Sequence, residues 1–325
     1  MPYQESSHFC TPLNEEKIWR YMSIEKFIAM LDNNSLYFPN ISLFSDRKEG
    51  TLSEKSLEEV YRTHLLDVEN TPVKQDDKFR EMEEFIKDAA EQYYTEQEAE
   101  EKLKDHLNAQ HSFQTLLQLF SNHLMYCNSW FLKESESYSM WAGYGNNVNP
   151  TSIAIQTTIG DFIKSIESTI FHIHIGEIQY KDYENEDITG YEDFTSIDLN
   201  NPDNILKLFY APVMHKRDIF QEEKEIRSII SFDSVCNEYL GRNYTTEIPF
   251  YSDQLTRKED DPYFRQYDTN LMKDIPNAML LNFNIQTLLK TVVISPNAKD
   301  YFLKPFLNLI EHYGISPDIV RPSDI

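Results

Sequence analysis

The spacing of apolar residues changes along the chain and predicts alternating strands and helices. The segment "EKIWRYMSIEKFIAMLDNNSLYFPNISLFSD" has the pattern of a strand, a helix and a second strand. Phe27, Ile28 and Leu31 recur at helical spacing, and the turn-forming Asn33 and Asn34 precede the second strand. The chain is therefore predicted to begin with a β-α-β-like unit.

The pattern becomes purely helical between residues 52 and 123. Apolar residues return every three or four positions there, as in Phe79, Met82, Phe85 and Ile86. Residues 52 to 106 hold 17 acidic and 8 basic side chains. We expect a helical insertion that buries its apolar stripe against the sheet and turns a negative face to water.

Strand and helix patterns alternate again after residue 123, and the end of the chain is predicted as strand, short helix, strand and helix. Residues 239–274 are polar and irregular, which predicts a long loop or lid. The fold class is predicted as α+β, with a mixed central sheet and flanking helices. Residues 1–51 and 124–325 are predicted to form the α/β core, and 52–123 the acidic helical insertion.

Composition excludes several classes of protein. The formal charge of −24 opposes a large nucleic-acid footprint, although a small basic site on an acidic body is compatible with it. No segment has the pattern of a signal peptide or a membrane span, and the three cysteines have no paired spacing. These features predict a cytoplasmic protein with no membrane partner.

Familiar catalytic motifs are absent from the sequence. With only 8 glycines, no phosphate-binding loop is present, and neither "GxSxG" nor "HExxH" occurs. His172 and His174 share one face of a predicted strand, but no carboxylate or cysteine ligand accompanies them. We therefore predict no metal site.

The string "SESYSMWAGYG" contains Ser139, Trp141 and Tyr144 just before a predicted strand. Flat aromatic rings beside small hydroxyl side chains suit the binding of a planar ligand ring. The alternative is structural, with the tryptophan anchoring a helix whose start is capped by a serine.

The string "KRDIFQEEKEIR" places Glu223, Glu225 and Arg227 two residues apart. In an extended segment all three side chains point to one side, which must then face either solvent or a site. On a solvated face, Glu225→Gln is expected to change stability by no more than ~0.5 kcal/mol.

Four strings resemble, in order, the motifs of the bacterial family catalogued as domain of unknown function 2971. They are "YMSIEKFIAMLDNNSLYFPNISLFSDRKEGT", "YCNSWFLKESESYSMWAGYG" leading to "SIAIQTT", "KRDIFQEEKEIRSII" and "TVVISPNA". They cover most of the chain, apart from the helical insertion and the polar loop. The family name implies little chemistry.

A second resemblance is to mono-ADP-ribosyltransferases, which combine an Arg or His on a first strand, a Ser or Tyr region on a second and a Glu on a later strand. This resemblance implies NAD as a substrate. It implies that Glu225 stabilises the sugar cation formed when nicotinamide leaves, and that Glu223 orients or deprotonates the acceptor. Arg20 would hold the pyrophosphate. The other implied cofactor-binding residues are Tyr21, Ser139, Trp141, Tyr144 and Arg227.

The leading hypothesis is an NAD-dependent ADP-ribosyltransferase-like enzyme, as in a bacterial toxin or phage-defence effector held in check by an antitoxin or regulatory protein. Its macromolecular acceptor would be a protein or a nucleic acid. One alternative is a non-catalytic sensor or interaction module for a nucleotide-like ligand. Another is a metal-dependent nuclease using Asp46, Glu49 and the two glutamates of the Glu-x-Glu sequence. We expect Arg20, Trp141 or Tyr144, and Glu225 to line one cleft.

Overall fold

The computed structural model describes residues 2–46, 48–53, 55–56, 124–145, 148–166, 169–188, 209–235, 238, 256–257, 265–266 and 276–325. Nearly all of the predicted helical insertion, 52–123, lies outside these residues, as does most of the predicted loop 239–274. The division into core and insertion therefore stays a prediction.

Strands and helices alternate along the described chain. The strands are β1 (Lys17–Met22), β2 (Ser35–Pro39), β3 (Cys127–Leu132), β4 (Ile153–Thr158), β5 (Ile173–Glu177), β6 (Gln179–Lys181), β7 (His215–Arg217), β8 (Glu225–Ile230), β9 (Thr256–Arg257), β10 (Arg265–Gln266), β11 (Ala278–Asn282), β12 (Thr291–Ile294) and β13 (Val320–Pro322). The helices are α1 (Ile24–Asn33), α2 (Tyr138–Tyr144), α3 (Ile159–Ser165), α4 (Phe232–Val235), α5 (Ile285–Leu288) and α6 (Asp300–His312). Short 3-10 helices span Ile41–Leu43, Asp218–Glu223 and Pro317–Ile319.

A seven-stranded sheet organises the fold, in the order β13-β12-β4-β1-β3-β8-β5. Its neighbouring strands are antiparallel except β12 and β13, which are parallel. Three two-stranded sheets accompany it, β2 with β11, β6 with β7, and β9 with β10. The predicted α+β class with a mixed central sheet is confirmed.

The predicted strand-helix-strand start is confirmed in its elements. Helix α1 buries Phe27, Met30 and Leu31 on one face, and Asn34 ends it in the left-handed conformation, with φ of 46°. The two strands do not share a sheet, because β2 pairs with β11 while β1 lies in the middle of the large sheet. The predicted strand, short helix, strand and helix near the end of the chain correspond to β11, α5, β12 and α6.

The register of the large sheet defines its two faces. Trp19 pairs with Phe131, and Phe131 pairs with Glu225, so these three side chains lie on one face, called the front face here. Side chains alternate along a strand, so Arg20 and Ile226 lie on the opposite, back face. The small buried cluster around Trp19 and Phe131 lies on the front face, and the larger core includes back-face residues such as Ile18 and Ile226 and, near the β8 edge, front-face residues such as Ile229.

None of the described helices has the length and apolarity that a bilayer crossing requires.

Strand β5 is covered at Gly176 by the segment that precedes β1. A Cβ atom built on Gly176 would lie 2.8 Å from Cε of Met214 and 2.9 Å from Cβ of Phe9. The methionine end can move, but the phenylalanine Cβ is tied to the backbone. Phe9 and Gly176 are therefore in close, specific contact.

This contact predicts a difference between two glycine substitutions. Gly176→Ala should lower the free energy of unfolding by ~1–3 kcal/mol through overpacking. Gly143→Ala, in α2, should be neutral or stabilise by ~0.5–1 kcal/mol, because nothing lies within 4 Å of its added Cβ and alanine favours the helix. Urea unfolding of both variants measures this, and equal effects would contradict the packing at β5.

Candidate functional site

A buried network of charged side chains lies at the start of β8. Glu225 and Arg227 are two residues apart on this strand, so both lie on the front face, as their spacing predicts. Arg227 Nε donates to a carboxylate oxygen of Glu225 at 2.6 Å, and its Nη1 donates to the backbone oxygen of Val213 at 2.6 Å. Its Nη2 donates to Glu49. Arg227 thus connects three segments of the chain.

Lys216, from β7, is the second cation of the network. Its Nζ lies 2.8 Å from Glu223, 3.1 Å from Glu225 and 3.7 Å from Glu49. Three glutamates from different segments therefore share one ammonium group. We call Glu49, Lys216, Glu223, Glu225 and Arg227 the glutamate network.

Two turns of the chain, one at Lys224 and one just before Glu49, bring the glutamates to these cations. Glu223 ends the 3-10 helix, Lys224 takes the left-handed conformation with φ of 49°, and Glu225 begins β8. Glu223 and Glu225 are therefore not on one strand, and the turn at Lys224 brings both carboxylates to Lys216. Glu49 follows a turn closed by its own N–H, which donates to the backbone oxygen of Asp46 at 3.1 Å.

Burial makes the charges of the network interdependent. Burial alone would raise the pKa of Glu225, but Arg227 and Lys216 lower that pKa to about 2. Burial raises the pKa of Glu49, although Arg227 opposes the rise. The pKa values of Lys216 and Arg227 lie above their ordinary values, because the glutamates outweigh the effect of burial. Glu225 therefore stays ionised while Glu49 is the carboxyl that takes up a proton more readily.

The network contains three carboxylates and two cations. With all five groups ionised, it carries one excess negative charge in a region shielded from water. The side chain of Arg227 is fully buried and that of Glu225 is 3% exposed, whereas that of Glu223 is 12% exposed. Glu223 therefore offers the most direct access from solvent.

Aromatic side chains contact the network at several points. The Tyr144 hydroxyl donates to Glu223 at 2.9 Å, and the Tyr144 ring lies 4.7 Å from that of Phe131. The Phe220 ring lies 4.8 Å from Lys216 Nζ. The Tyr180 hydroxyl accepts the backbone N–H of Glu225 at 2.8 Å. Burial raises the pKa of Tyr180 to about 12, so its hydroxyl stays protonated at neutral pH.

Helix α2 positions Tyr144 through a carboxylate at its start. Trp141 is buried, and its Nε1 donates to Glu136 at 3.1 Å. Glu136 also accepts from Arg321 at 2.9 Å and from the backbone N–H of Asp324 at 3.1 Å. The segment around β13 therefore fixes the helix that carries Tyr144.

The prediction that Arg20 lines the cleft with Glu225 is wrong. Arg20 follows Trp19 in β1, so strand alternation puts it on the back face, where its guanidinium lies over the ring of Trp130. The hypothesis that Arg20 and Glu225 hold two parts of one NAD molecule loses its geometric basis.

The other predicted residues have mixed positions. Tyr144, Glu223, Glu225 and Arg227 meet at the network. Trp141 and Tyr21 are buried core residues whose rings meet edge to face at 5.0 Å, so Trp141 anchors its helix as the structural alternative predicts. The serine cap of that alternative is wrong, because the side chain of Ser137 at the helix start makes no capping hydrogen bond. The Ser139 hydroxyl is exposed and lies 2.9 Å from that of Ser137.

Lys216, the central cation of the network, is not recognisable as a site residue from the sequence. Lys216 begins the string "KRDIFQEEKEIR", but no spacing rule connects it to the glutamates, since β7 and β8 belong to different sheets. From the sequence, Glu49 is a nuclease ligand in one alternative and, with Asp46, a candidate to face the cleft. In the structure its carboxylate is paired with Arg227 and Lys216. Within the described ranges, no group of three or more His, Cys, Asp or Glu side chains is arranged to hold a metal ion.

Comparison with known proteins finds one family model that matches this part of the chain. Residues 140–228 match the model of the family described as "Protein of unknown function (DUF2971)". The resemblance to this family is thereby confirmed over a segment that runs from α2 to β8 and includes four of the five network residues. No curated protein and no solved structure matched the chain. The comparisons give no support to the resemblance to ADP-ribosyltransferases.

The network predicts a large cost for removing one cation. Arg227→Gln leaves Glu225 and Glu49 without their main partner, so it should lower the free energy of unfolding by ~3–5 kcal/mol. Lys290→Gln, which removes an exposed pair with Asp161, should change it by no more than ~0.5 kcal/mol. Urea unfolding compares them, and similar small losses would contradict a tightly coupled network.

The lowered pKa of Glu225 predicts a pH dependence. A carboxyl whose pKa is lower in the folded state adds stability above the unfolded value near 4.5 and loses it as the pH falls towards 2. The stability difference between wild type and Glu225→Gln should therefore shrink between pH 5 and pH 2. Unfolding free energies across this range measure it. A constant difference would show that Glu225 is not held ionised.

Proposed function

We propose that the chain is an ADP-ribosyltransferase-like enzyme that uses NAD as a substrate at the glutamate network. The observation that carries this proposal is the excess negative charge of a buried site whose most exposed carboxylate, Glu223, adjoins an ionised one, Glu225. A site of this kind stabilises a positive charge that develops beside it, because few water molecules screen the interaction.

The chemistry that the proposal assigns is transfer at the ribose carbon C1′. The bond from C1′ to the nicotinamide nitrogen breaks, nicotinamide leaves with the electron pair, and the sugar becomes oxocarbenium-like. The acceptor's nucleophilic atom then forms a bond to C1′ and gives its proton to Glu223. The negative charge of Glu225 stabilises the oxocarbenium-like sugar.

The order of strands also supports the proposal. The resemblance used residues on or beside β1, β3 and β8, which are far apart in sequence. These three strands are adjacent in the sheet. Because Arg20 lies on the back face, the proposal no longer assigns the pyrophosphate to it.

The same proposal includes action in the cytoplasm, a protein or nucleic-acid acceptor, and control by an antitoxin or regulatory partner, as in a toxin or phage-defence effector. These parts depend on the sequence interpretation alone.

A second candidate is a non-catalytic module that binds a nucleotide-like ligand. The observation that favours it is that the Glu225 carboxylate already accepts hydrogen bonds from both Arg227 and Lys216. A carboxylate held in this way suits a fixed electrostatic field without turnover.

The test measures nicotinamide release from NAD by the purified chain, with cell lysate as the source of acceptor. Wild type should release nicotinamide, and Glu223→Gln and Glu225→Gln should each lose on the order of a hundredfold or more in rate. Glu134→Gln is the matched control, because that carboxylate is 81% exposed and pairs with the exposed Lys17.

Melting temperatures of the same variants separate catalysis from folding. Because Glu225 is buried between two cations, Glu225→Gln should also be destabilised, contrary to the small effect expected for a solvated face. Glu223→Gln, at the more exposed position, is therefore the cleaner catalytic variant.

The absence of nicotinamide release by wild type would reject the proposed enzyme activity. A thermal shift by NAD without turnover would then favour the binding module, and magnesium-dependent cleavage of RNA or DNA would favour the nuclease.

A further inference from the structure

Arg20 and Arg227 lie on strands that flank β3, but they differ in their partners. Arg227 has two carboxylates and a backbone oxygen. Arg20 has one hydrogen bond, from Nη1 to the backbone oxygen of Ser129 at 3.3 Å. Among the residues that the structure describes, no carboxylate forms an ion pair with Arg20. Within the described part of the chain, Arg20 is thus a half-buried cation without a paired carboxylate.

This arrangement is costly for the folded protein. A guanidinium has five N–H donors, and burial removes the water that would satisfy them. Burial accordingly lowers the pKa of Arg20 to about 10, with no nearby carboxylate to offset the effect. For Arg227 the glutamates reverse the effect of burial and raise the pKa. The contrast distinguishes Arg20 from Arg227 and Arg321, the other described arginines of the large sheet, which are both paired with carboxylates.

Arg20 lies against an aromatic ring whose position is fixed by hydrogen bonds. Its Cζ lies 5.8 Å from the centre of the Trp130 ring, a distance at which the cation and the ring attract each other. The indole is fixed, because its Nε1 donates to Asn128 at 2.6 Å. Asn128 in turn donates to the backbone oxygen of Tyr37 at 2.8 Å. The guanidinium is therefore held against a fixed aromatic surface, and among the described residues it makes a single hydrogen bond, from Nη1.

We propose that Arg20 is the centre of a second ligand site, on the back face of the sheet, that binds the phosphoryl group of a small molecule. The free donors of a guanidinium match two oxygens of such a group, and a phosphoryl dianion offsets the buried charge better than a monocarboxylate. The site is separate from the glutamate network, because the register places Arg20 and Glu225 on opposite faces. It does not depend on the proposed activity.

The test titrates the full chain with inorganic phosphate and with pyrophosphate by calorimetry, at constant ionic strength set with chloride. Wild type should bind saturably. Arg20→Gln should bind at least about tenfold more weakly, since a charge-assisted hydrogen bond contributes more than 1.4 kcal/mol. Arg20→Lys, which keeps the charge but loses the fork, should be intermediate. Lys17→Gln is the matched control on the same strand and should bind like wild type, because that lysine is exposed and paired with Glu134.

A stability measurement shows whether Arg20 has a purely structural role. In buffer without phosphate, Arg20→Gln should melt at the same temperature as wild type or higher, since an unpaired buried charge is removed. With phosphate, the melting temperature of wild type should rise and that of Arg20→Gln should not.

Three outcomes would overturn the proposal. One is equal phosphate binding by wild type and Arg20→Gln. Another is loss of binding in a folded Glu225→Gln variant, which would place the anion at the glutamate network. The third is an equal response to acetate, which would contradict a phosphoryl ligand. Failure of NAD turnover would leave the Arg20 site unaffected, so the two proposals can fail independently.

Discussion

The attraction of three glutamates to two buried cations holds together β7, β8 and the segment around Glu49, and the candidate site depends on it. Lys216 and Arg227 have to leave water when β7 and β8 form, and only nearby carboxylates make that tolerable. Arg227 and Glu49 are 178 residues apart in sequence, so the network also joins the start of the described chain to its middle. Its polar contacts fix the turn around Lys224, and hence the relative positions of Glu223 and Glu225.

The network has three carboxylates for two cations, which leaves one excess negative charge among its described members. Glu49 is the group through which a proton can compensate, since its pKa is raised, whereas Glu225 stays ionised. A positively charged ligand or a developing sugar cation would do the same. This is why a buried ion network, more often a structural feature, supports a functional proposal here. The sheet separates that acidic site from Arg20, whose positive charge has no paired carboxylate among the described residues.

Periodicity was sufficient to predict the main elements of the described chain. The apolar spacing of β1, α1 and β2 is local, and so is the αL-forming asparagine that ends the helix. The polar string around β8 stands out in the sequence because three charged residues near an apolar strand need a reason, and its side chains meet in the glutamate network. Its environment was not predictable from spacing, since burial of Glu225 depends on β7 and on the turn at Glu49.

The error at Arg20 has a related cause. A sequence shows that Trp19, Arg20 and Tyr21 alternate along a strand, but it does not show which neighbouring strand lies beside them or in what register. A shift of one residue would have put Arg20 on the front face. The order β1-β3-β8 and its register come from contacts between distant segments, which one sequence without strand pairing does not specify.

A crystal structure with an NAD analogue whose nicotinamide–ribose bond cannot break is the most direct test of the central claim. The account predicts that the nicotinamide ribose lies on the front face, with C1′ facing Glu223 and Glu225 and close to Tyr144. An analogue bound on the back face, or one that leaves Lys216 and the three glutamates without contact, would contradict it.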